Sequence, residues 1–252
     1  LAEKVAGSAD KAVELMNSRA KMLGMNGTVY TDCTGVGEGN VTTAKDTALL
    51  CSELAKYKNL TPYLTCWLDT VRDGKAELVN LNRLVRTYKG VTGMKAWGSE
   101  KAGSCIAATA EKGDMSVCVV LNGCDSQEDM NAEAKKLLNL AFDTYEIYTP
   151  ELPEDMVKET VVCGGEELSV KLAPEGLYPI VIPRGTYRMV ECDFTAEEKL
   201  DAPVKNGETA GEIRYTMGDE VILDGKIVAC KEVKKMNFIC GIKKLVYNLL
   251  SM

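Results

Sequence analysis

The chain has 252 residues, 46% of them apolar and 27% charged, a composition that excludes disorder and supplies a core for one large or two ordinary domains. A formal net charge of -7 and a pI near 5.0, with no dense Lys/Arg face in residues 1–225, exclude a nucleic-acid partner. Histidine is absent, which removes histidine general bases and ligands, and the ten cysteines form no C-x-x-C pair.

Those cysteines stand at 33, 51, 66, 105, 118, 124, 163, 192, 230 and 240. Most lie in apolar runs, where a thiol behaves as a small hydrophobe, so buried free thiols are expected, with one or two bridges as the alternative. No metal site and no cofactor is expected.

In chain order, residues 1–23 place Val5, Val13, Leu15, Met16, Met22 and Leu23 among charges, an amphipathic helix interrupted at Gly7-Ser8 and closed by Gly24. The chain starts at Leu1, inside this pattern, without Met or a signal peptide, and reads as a piece whose start lies elsewhere. Residues 26–40, rich in Gly, Thr and Asn, predict a surface loop. Thr42 or Thr43 then caps a helix to about Tyr57, with Ala44, Ala48, Leu49, Cys51, Ser52 and Ala55 facing inward. Residues 63–82 read as an extended excursion that turns at Asp73-Gly74.

Gly90 and Gly93 flank the approach to Lys95, and the runs 104–110 and 115–121 face each other across Glu111-Lys112-Gly113-Asp114, a hairpin signature. These runs alternate little, so helices are expected on both faces of their sheet. Residues 126–145 supply one, with Ala134, Leu137, Leu138, Ala141 and Phe142 on one side. Thr149-Pro150 and Pro153 mark a linker over 149–156. Short apolar runs at 159–163, 168–172, 178–182, 187–193, 211–217 and 220–229, separated by Gly, Pro and Asn turns, predict a small all-β, sandwich-like domain over 157–233. In the tail, 234–252, Phe238, Ile239, Ile242, Leu245, Val246, Leu249 and Leu250 make a helical stripe among Lys234, Lys235, Lys243 and Lys244. Its apolar part, only about 15 residues, is too short to span a bilayer and suits an interfacial helix over 236–252; packing on the β domain is the alternative.

The phrases Asn80-Leu81-Asn82-Arg83-Leu84, Tyr88, Gly90-Val91, Gly93-Met94-Lys95 and Lys101-Ala102-Gly103-Ser104-Cys105 resemble the serine D-alanyl-D-alanine carboxypeptidases, the low-molecular-mass penicillin-binding proteins. Val5-Ala6-Gly7-Ser8, Val13-Glu14-Leu15-Met16-Asn17, Leu23-Gly24-Met25 and Thr43-Ala44-Lys45-Asp46-Thr47-Ala48 are similar to other stretches of that family. Tyr30-Thr31-Asp32-Cys33-Thr34-Gly35-Val36 is a weaker match. The resemblance covers nearly the whole chain. It implies a mixed α/β, or α+β, transpeptidase/β-lactamase-like domain over 1–148, incomplete at its N-terminus, followed by the β domain and an amphipathic anchor helix.

Family members remove the terminal D-Ala of peptidoglycan stem peptides through a serine acyl-enzyme, using S-x-x-K, S-x-N and K-T-G motifs, which together provide an activated nucleophile and an oxyanion hole. Here K-T-G is altered. Lys95 stands at its lysine, Ala96 lacks the hydroxyl that would bind the substrate carboxylate, Trp97 replaces the glycine, and Gly98 supplies the matching N–H. Ser8-Ala9-Asp10-Lys11 fits S-x-x-K, but it lies in the helix that follows the family's second motif, so no nucleophile is assigned. Lys101-Ala102-Gly103 only mimics K-T-G. Two readings follow: a carboxypeptidase-family protein of peptidoglycan maturation, this chain alone inactive, or a non-catalytic envelope scaffold using the β domain and tail. The partners implied are the stem peptide, the membrane surface, and either an N-terminal companion polypeptide or self-association through an open sheet edge. The place implied is extracytoplasmic, on the outer face of the bacterial cytoplasmic membrane.

Overall fold

Gly7 stops a first helix, α1 (Ala2–Ala6), and Ser8 at once caps the next, α2 (Ala9–Met22), its hydroxyl accepting from the Lys11 N–H. The structure, a computed structural model, describes residues 1–238 and 242 and divides into two units, Leu1–Thr144 and Tyr145–Met252. Helix α2 buries Ala12 and Ala20, whereas Val5, Leu15 and Met22 are exposed. Three of the large apolar side chains of the predicted stripe therefore face outward, Val13, Met16 and Leu23 are half-buried, and the alanines make the close approach.

Thr43 caps α3 (Ala44–Ala55) through its hydroxyl, which accepts from the Asp46 N–H at 3.1 Å. Asp46 is buried and takes the Thr28 hydroxyl at 2.7 Å and the Gly27 N–H at 2.8 Å, so one carboxylate ties the preceding loop to the helix start. Helix α3 ends two residues earlier than expected, and a 3-10 turn at Lys58–Leu60 leads into α4 (Thr61–Leu64). The excursion after it is a ribbon, β1 (Leu68–Val71) paired with β2 (Ala76–Val79), which turns where Asp73-Gly74 signalled.

After the short helix α5 (Leu84–Thr87) comes a three-stranded antiparallel sheet in the order β3 (Val91–Ser99), β4 (Gly103–Lys112), β5 (Met115–Cys124). Lys112 pairs with Met115, so the turn holds two residues, not the four expected from sequence. Gly113 at φ 65° takes the conformation that the first position of such a turn demands, letting the strands run on through Glu111 and Lys112. Gly90 is also obligatory: a Cβ there would collide with the Glu111 carbonyl, and φ is 92°. The Gly90 carbonyl accepts the Glu111 N–H at 2.8 Å.

Helix α6 (Gln127–Thr144) covers one face of this sheet with Met130, Ala134, Leu138 and Phe142, against Met94, Ala96, Ile106, Ala108 and Val119, all buried. Truncating fully buried Leu138 to alanine would cost about 2–5 kcal/mol. The opposite face is only half-buried at Cys105, Ala107, Cys118 and Val120, where α3 meets it through Cys51. Both faces carry a helix, as expected, but unequally.

The second unit begins at β6 (Tyr145–Tyr148), which the sequence reading placed in the first domain. It pairs with β9 (Ile180–Pro183) and so belongs to the β-rich unit. A six-stranded sheet runs in the order β10, β12, β13, β8, β7, β11, where β7 is Glu159–Cys163, β8 Ser169–Glu175, β10 Val190–Ala196, β11 Lys199–Asp201, β12 Thr209–Met217 and β13 Glu220–Ala229. Residues 187–189 form a 3-10 turn rather than strand, and the three-residue β11, too short to signal itself in sequence, pairs parallel to β7. Val162, Val170, Leu172, Ile213, Tyr215 and Ile227 form the core, with Tyr148 and Ile180 packed against it.

Phe238 and Ile242 are exposed, but the predicted tail helix and its membrane contact fall mostly on 239–241 and 243–252, outside the described residues. No described helix is long and apolar enough to cross a membrane. Nine described cysteines are free thiols, and only Cys51 is buried. The expected burial of most thiols fails because alternating strands turn several outward, as at Cys163 on β7.

The Thr28 hydroxyl bond above all holds the Asp46 carboxyl below its ordinary 3.8, against the opposing cost of burial. A carboxyl whose pKa falls on folding stabilises the fold above its unfolded value, and that stabilisation is lost as pH drops through the folded value. Asp46→Asn should therefore show less loss of urea midpoint than the parent when pH is lowered from neutral to below 3.8. Equal losses would mean that Asp46 carries none of the acid sensitivity.

Candidate functional site

The site is built on β3, which Asn82 holds in place. Asn82 is fully buried; its Nδ2 donates to the Gly93 carbonyl at 3.2 Å, its Oδ1 accepts from the Leu84 N–H at 3.1 Å, and its own N–H donates to Asn80 Oδ1 at 3.0 Å. Asn80 Nδ2 reaches on to the Leu64 and Cys66 carbonyls. The Asn80-Leu81-Asn82 phrase is thus a polar brace that ties three chain segments together where β3 starts. The sequence offered this residue only as part of a likeness. A pair of asparagines two apart, just before an apolar run, was the available signal.

Along β3 the side chains alternate. Met94 and Ala96 turn inward beneath α6, while Lys95 and Trp97 share the opposite, open face. The Lys95 ammonium lies 5.9 Å from the Trp97 ring centroid, a cation–π contact worth about 0.5–1 kcal/mol at an exposed site. Trp97 is 52% exposed and Ala96 only 3%. The four residues singled out in the sequence are therefore divided: Lys95, Trp97 and Gly98 are accessible, and Ala96 lies in the core opposite Ile106. Cys105 pairs with Trp97 and Ala107 with Lys95. The Thr92 hydroxyl donates to Thr109 Oγ1 at 2.8 Å, fastening the bulge at the start of the strand.

β3 is an end strand in the sheet order, so among the described residues no strand pairs with its outer side. An extended peptide can lie along such an edge and hydrogen-bond to its backbone. At the far end the Ala102 N–H donates to Ser99 Oγ and closes the turn into β4. Lys101, of the false K-T-G, is exposed and pairs with Glu38 at 2.6 Å.

The S-x-x-K at Ser8 has a structural explanation. Its hydroxyl accepts the Lys11 N–H, and the three-residue spacing is that of a helix cap. Ser18-Arg19-Ala20-Lys21 is a second match to the pattern; Ser18, Arg19 and Lys21 are exposed on α2, and Arg19 pairs there with Glu53 at 2.6 Å. In the 26–40 loop the Asp32 carboxylate gathers the Thr34 hydroxyl and N–H and the Gly35, Gly37 and Asn40 donors. The Thr34 hydroxyl bond leads in keeping its pKa below the ordinary value, and the loop is held by this one side chain.

Comparison with known proteins gives a match for each of the two units. Residues 1–125 match the D-alanyl-D-alanine carboxypeptidase family, and residues 142–235 match the C-terminal domain of penicillin-binding protein 5. The D-alanyl-D-alanine carboxypeptidase DacF of Bacillus subtilis is 30% identical over 249 residues, covering 97% of this chain and 64% of that protein. DacC of Escherichia coli is 30% identical over 241 residues, 94% of this chain and 60% of its own length. The chain thus spans about three-fifths of these curated relatives. Penicillin binding protein 5 from Haemophilus influenzae shares the fold, with a TM-score of 0.78 at 24% identity, over 93% of this chain and 69% of that one.

Replacing Asn82 by alanine leaves the Gly93 carbonyl and the Leu84 N–H buried without their partner, at a cost of about 2 kcal/mol. The urea midpoint should fall accordingly, and amide exchange should quicken first in residues 91–96. An Asn82→Ala chain as stable as the parent would show that the brace does not hold β3.

Proposed function

Because the chain belongs to the D-alanyl-D-alanine carboxypeptidase family, we propose that it serves peptidoglycan maturation, with β3 receiving the D-alanyl-D-alanine end of a stem peptide. The observation that carries this reading is the open edge of β3 with Lys95 on its accessible face. The peptide would add to that edge as a strand, Lys95 would supply positive charge toward the terminal carboxylate, and the Gly98 N–H would face the developing oxyanion. In the reaction a serine hydroxyl attacks the D-Ala–D-Ala amide carbon, the D-Ala amine leaves, and water then releases the acyl group from the serine.

Neither S-x-x-K of this chain is a good candidate for that serine. Ser8 spends its hydroxyl on a helix cap, and Ser18 sits on the outer side of α2. We therefore propose that these 252 residues hold the substrate-strand half of the site and turn over no substrate by themselves. A companion polypeptide would bring the nucleophile and pair with the sheet; the outer side of β5 is free of strand partners among the described residues. Action outside the cytoplasmic membrane, at its outer face, follows from the substrate, and the 236–252 tail is the proposed contact with that surface.

A non-catalytic scaffold is the second reading, and Trp97 favours it. Its indole stands on the accessible face, where the family's glycine leaves room for substrate.

Labelling with a fluorescent penicillin, read by intact mass, separates the readings, because β-lactams acylate the family's serine. We expect no adduct on this chain alone and one adduct per molecule on a companion encoded beside it. An adduct on this chain, at Ser8 or Ser18, would overturn the assignment, and none on either would leave the scaffold. Substituting Ala96→Thr and Trp97→Gly together should release no D-Ala from a stem-peptide substrate with this chain alone; measurable release would refute the missing nucleophile.

A further inference from the structure

Two thiols meet between α3 and β5. Cys51, on the inner side of α3, is only 3% exposed, and its thiol neighbours that of Cys118 in the middle of β5. Beside them a cavity of about 350 Å³ is lined by Ser52 and Ala55 of α3 and by Thr109, Ser116 and Cys118 of the sheet. Cys118 therefore lines an open space, whereas Cys51 is buried and is not part of that lining.

We propose that Cys51 and Cys118 form a disulfide that fastens α3 to the sheet when the chain meets an oxidising thiol–disulfide couple. The small-molecule or protein disulfide enters at the cavity. The Cys118 sulfur attacks one of its two sulfurs, forming a mixed disulfide and releasing the other as a thiol. Cys51 then attacks Cys118 Sγ, the new S–S bond forms within the chain, and the second half of the oxidant leaves as a thiol. The two cysteines give up two protons and two electrons, and the oxidant takes both.

Cys118 holds the neighbouring Cys51 thiol below its ordinary value, while Cys51 and burial hold Cys118 above it, so access at the cavity, not acidity, makes Cys118 the sulfur that reacts first. As Cys118 attacks, its proton passes to the Cys51 sulfur. The exposed Cys66, Cys163 and Cys230 have no such arrangement described and should stop at mixed disulfides.

The test is to incubate the folded 252-residue chain with oxidised glutathione, block remaining thiols with an alkylating agent, and map the digest by mass spectrometry. The expected product is a peptide pair joined through Cys51 and Cys118, lighter by two hydrogens than the reduced pair and separated by a reductant. Its urea midpoint should exceed that of the reduced chain. In Cys51→Ala, Cys118 should retain a glutathionyl group. Alkylation of both Cys51 and Cys118 while exposed thiols are oxidised would overturn the proposal, as would a bridge from either to a third cysteine. The map of the parent chain decides the question even if the variant fails to fold.

Discussion

A single buried amide sets the geometry of the first unit. Asn82 has no exposed surface, so each of its polar atoms must find a partner inside, and it finds them in the Gly93 carbonyl, the Leu84 N–H and the Asn80 side chain. Those bonds fix where β3 begins, and because strand side chains alternate, the starting point decides which residues are presented. A slip of one residue would turn Ala96 and Gly98 to the open face and bury Lys95 and Trp97 beneath α6. Burying that lysine without a partner would cost far more than the slip could gain. The brace and the hydrophobic face of α6 therefore specify the same register.

Much of this was legible in the residues. Thr43 as a helix cap, the turn at Asp73-Gly74, the two runs after Lys95 and the apolar stripe of the 126–145 segment each carried a local signal, and each element exists. The misreadings share a cause. Glu111 and Lys112 are residue types common in loops, which lengthens the expected turn at Gly113-Asp114, yet they pair at the exposed end of the ladder. Lys112 further lies over the Phe142 ring, a contact no local pattern announces. The exposure of Leu15 and Met22 was equally hidden, since periodicity shows that a stripe exists but not what lies opposite it. For the site, the motif located Lys95 and Gly98, whereas the division of Ala96 from Trp97 required the strand to be seen.

The cross-strand rows connect these observations. Gly93, Thr109 and Cys118 stand in one row across β3, β4 and β5, so the residue that Asn82 grips is two strands from the thiol that faces α3. Thr109 also bonds Thr92 within β3. Thr109 and Cys118 thus occupy the row that runs from the brace to α3, while the rows on the α6 side hold Met94, Ala96, Ile106, Ala108 and Val119. Small side chains there let the helix settle close to the sheet, the same device by which Ala12 and Ala20 seat α2.

The pairing of β6 with β9 makes the folding boundary differ from the boundary that composition suggests. The prolines at 150 and 153 look like the natural place to cut, but Tyr145–Tyr148 already completes the second unit, and Tyr148 meets Tyr215 edge-on at 6.3 Å between ring centroids. Tyr215 is fully buried and sends its hydroxyl to the Glu151 carbonyl at 2.9 Å, in the very segment a cut at the prolines would sever. A β-rich fragment begun after those prolines would leave β9 as a bare edge and a core phenol without its acceptor. For this chain the safe place to join or separate the two units is after α6, between Thr144 and Tyr145.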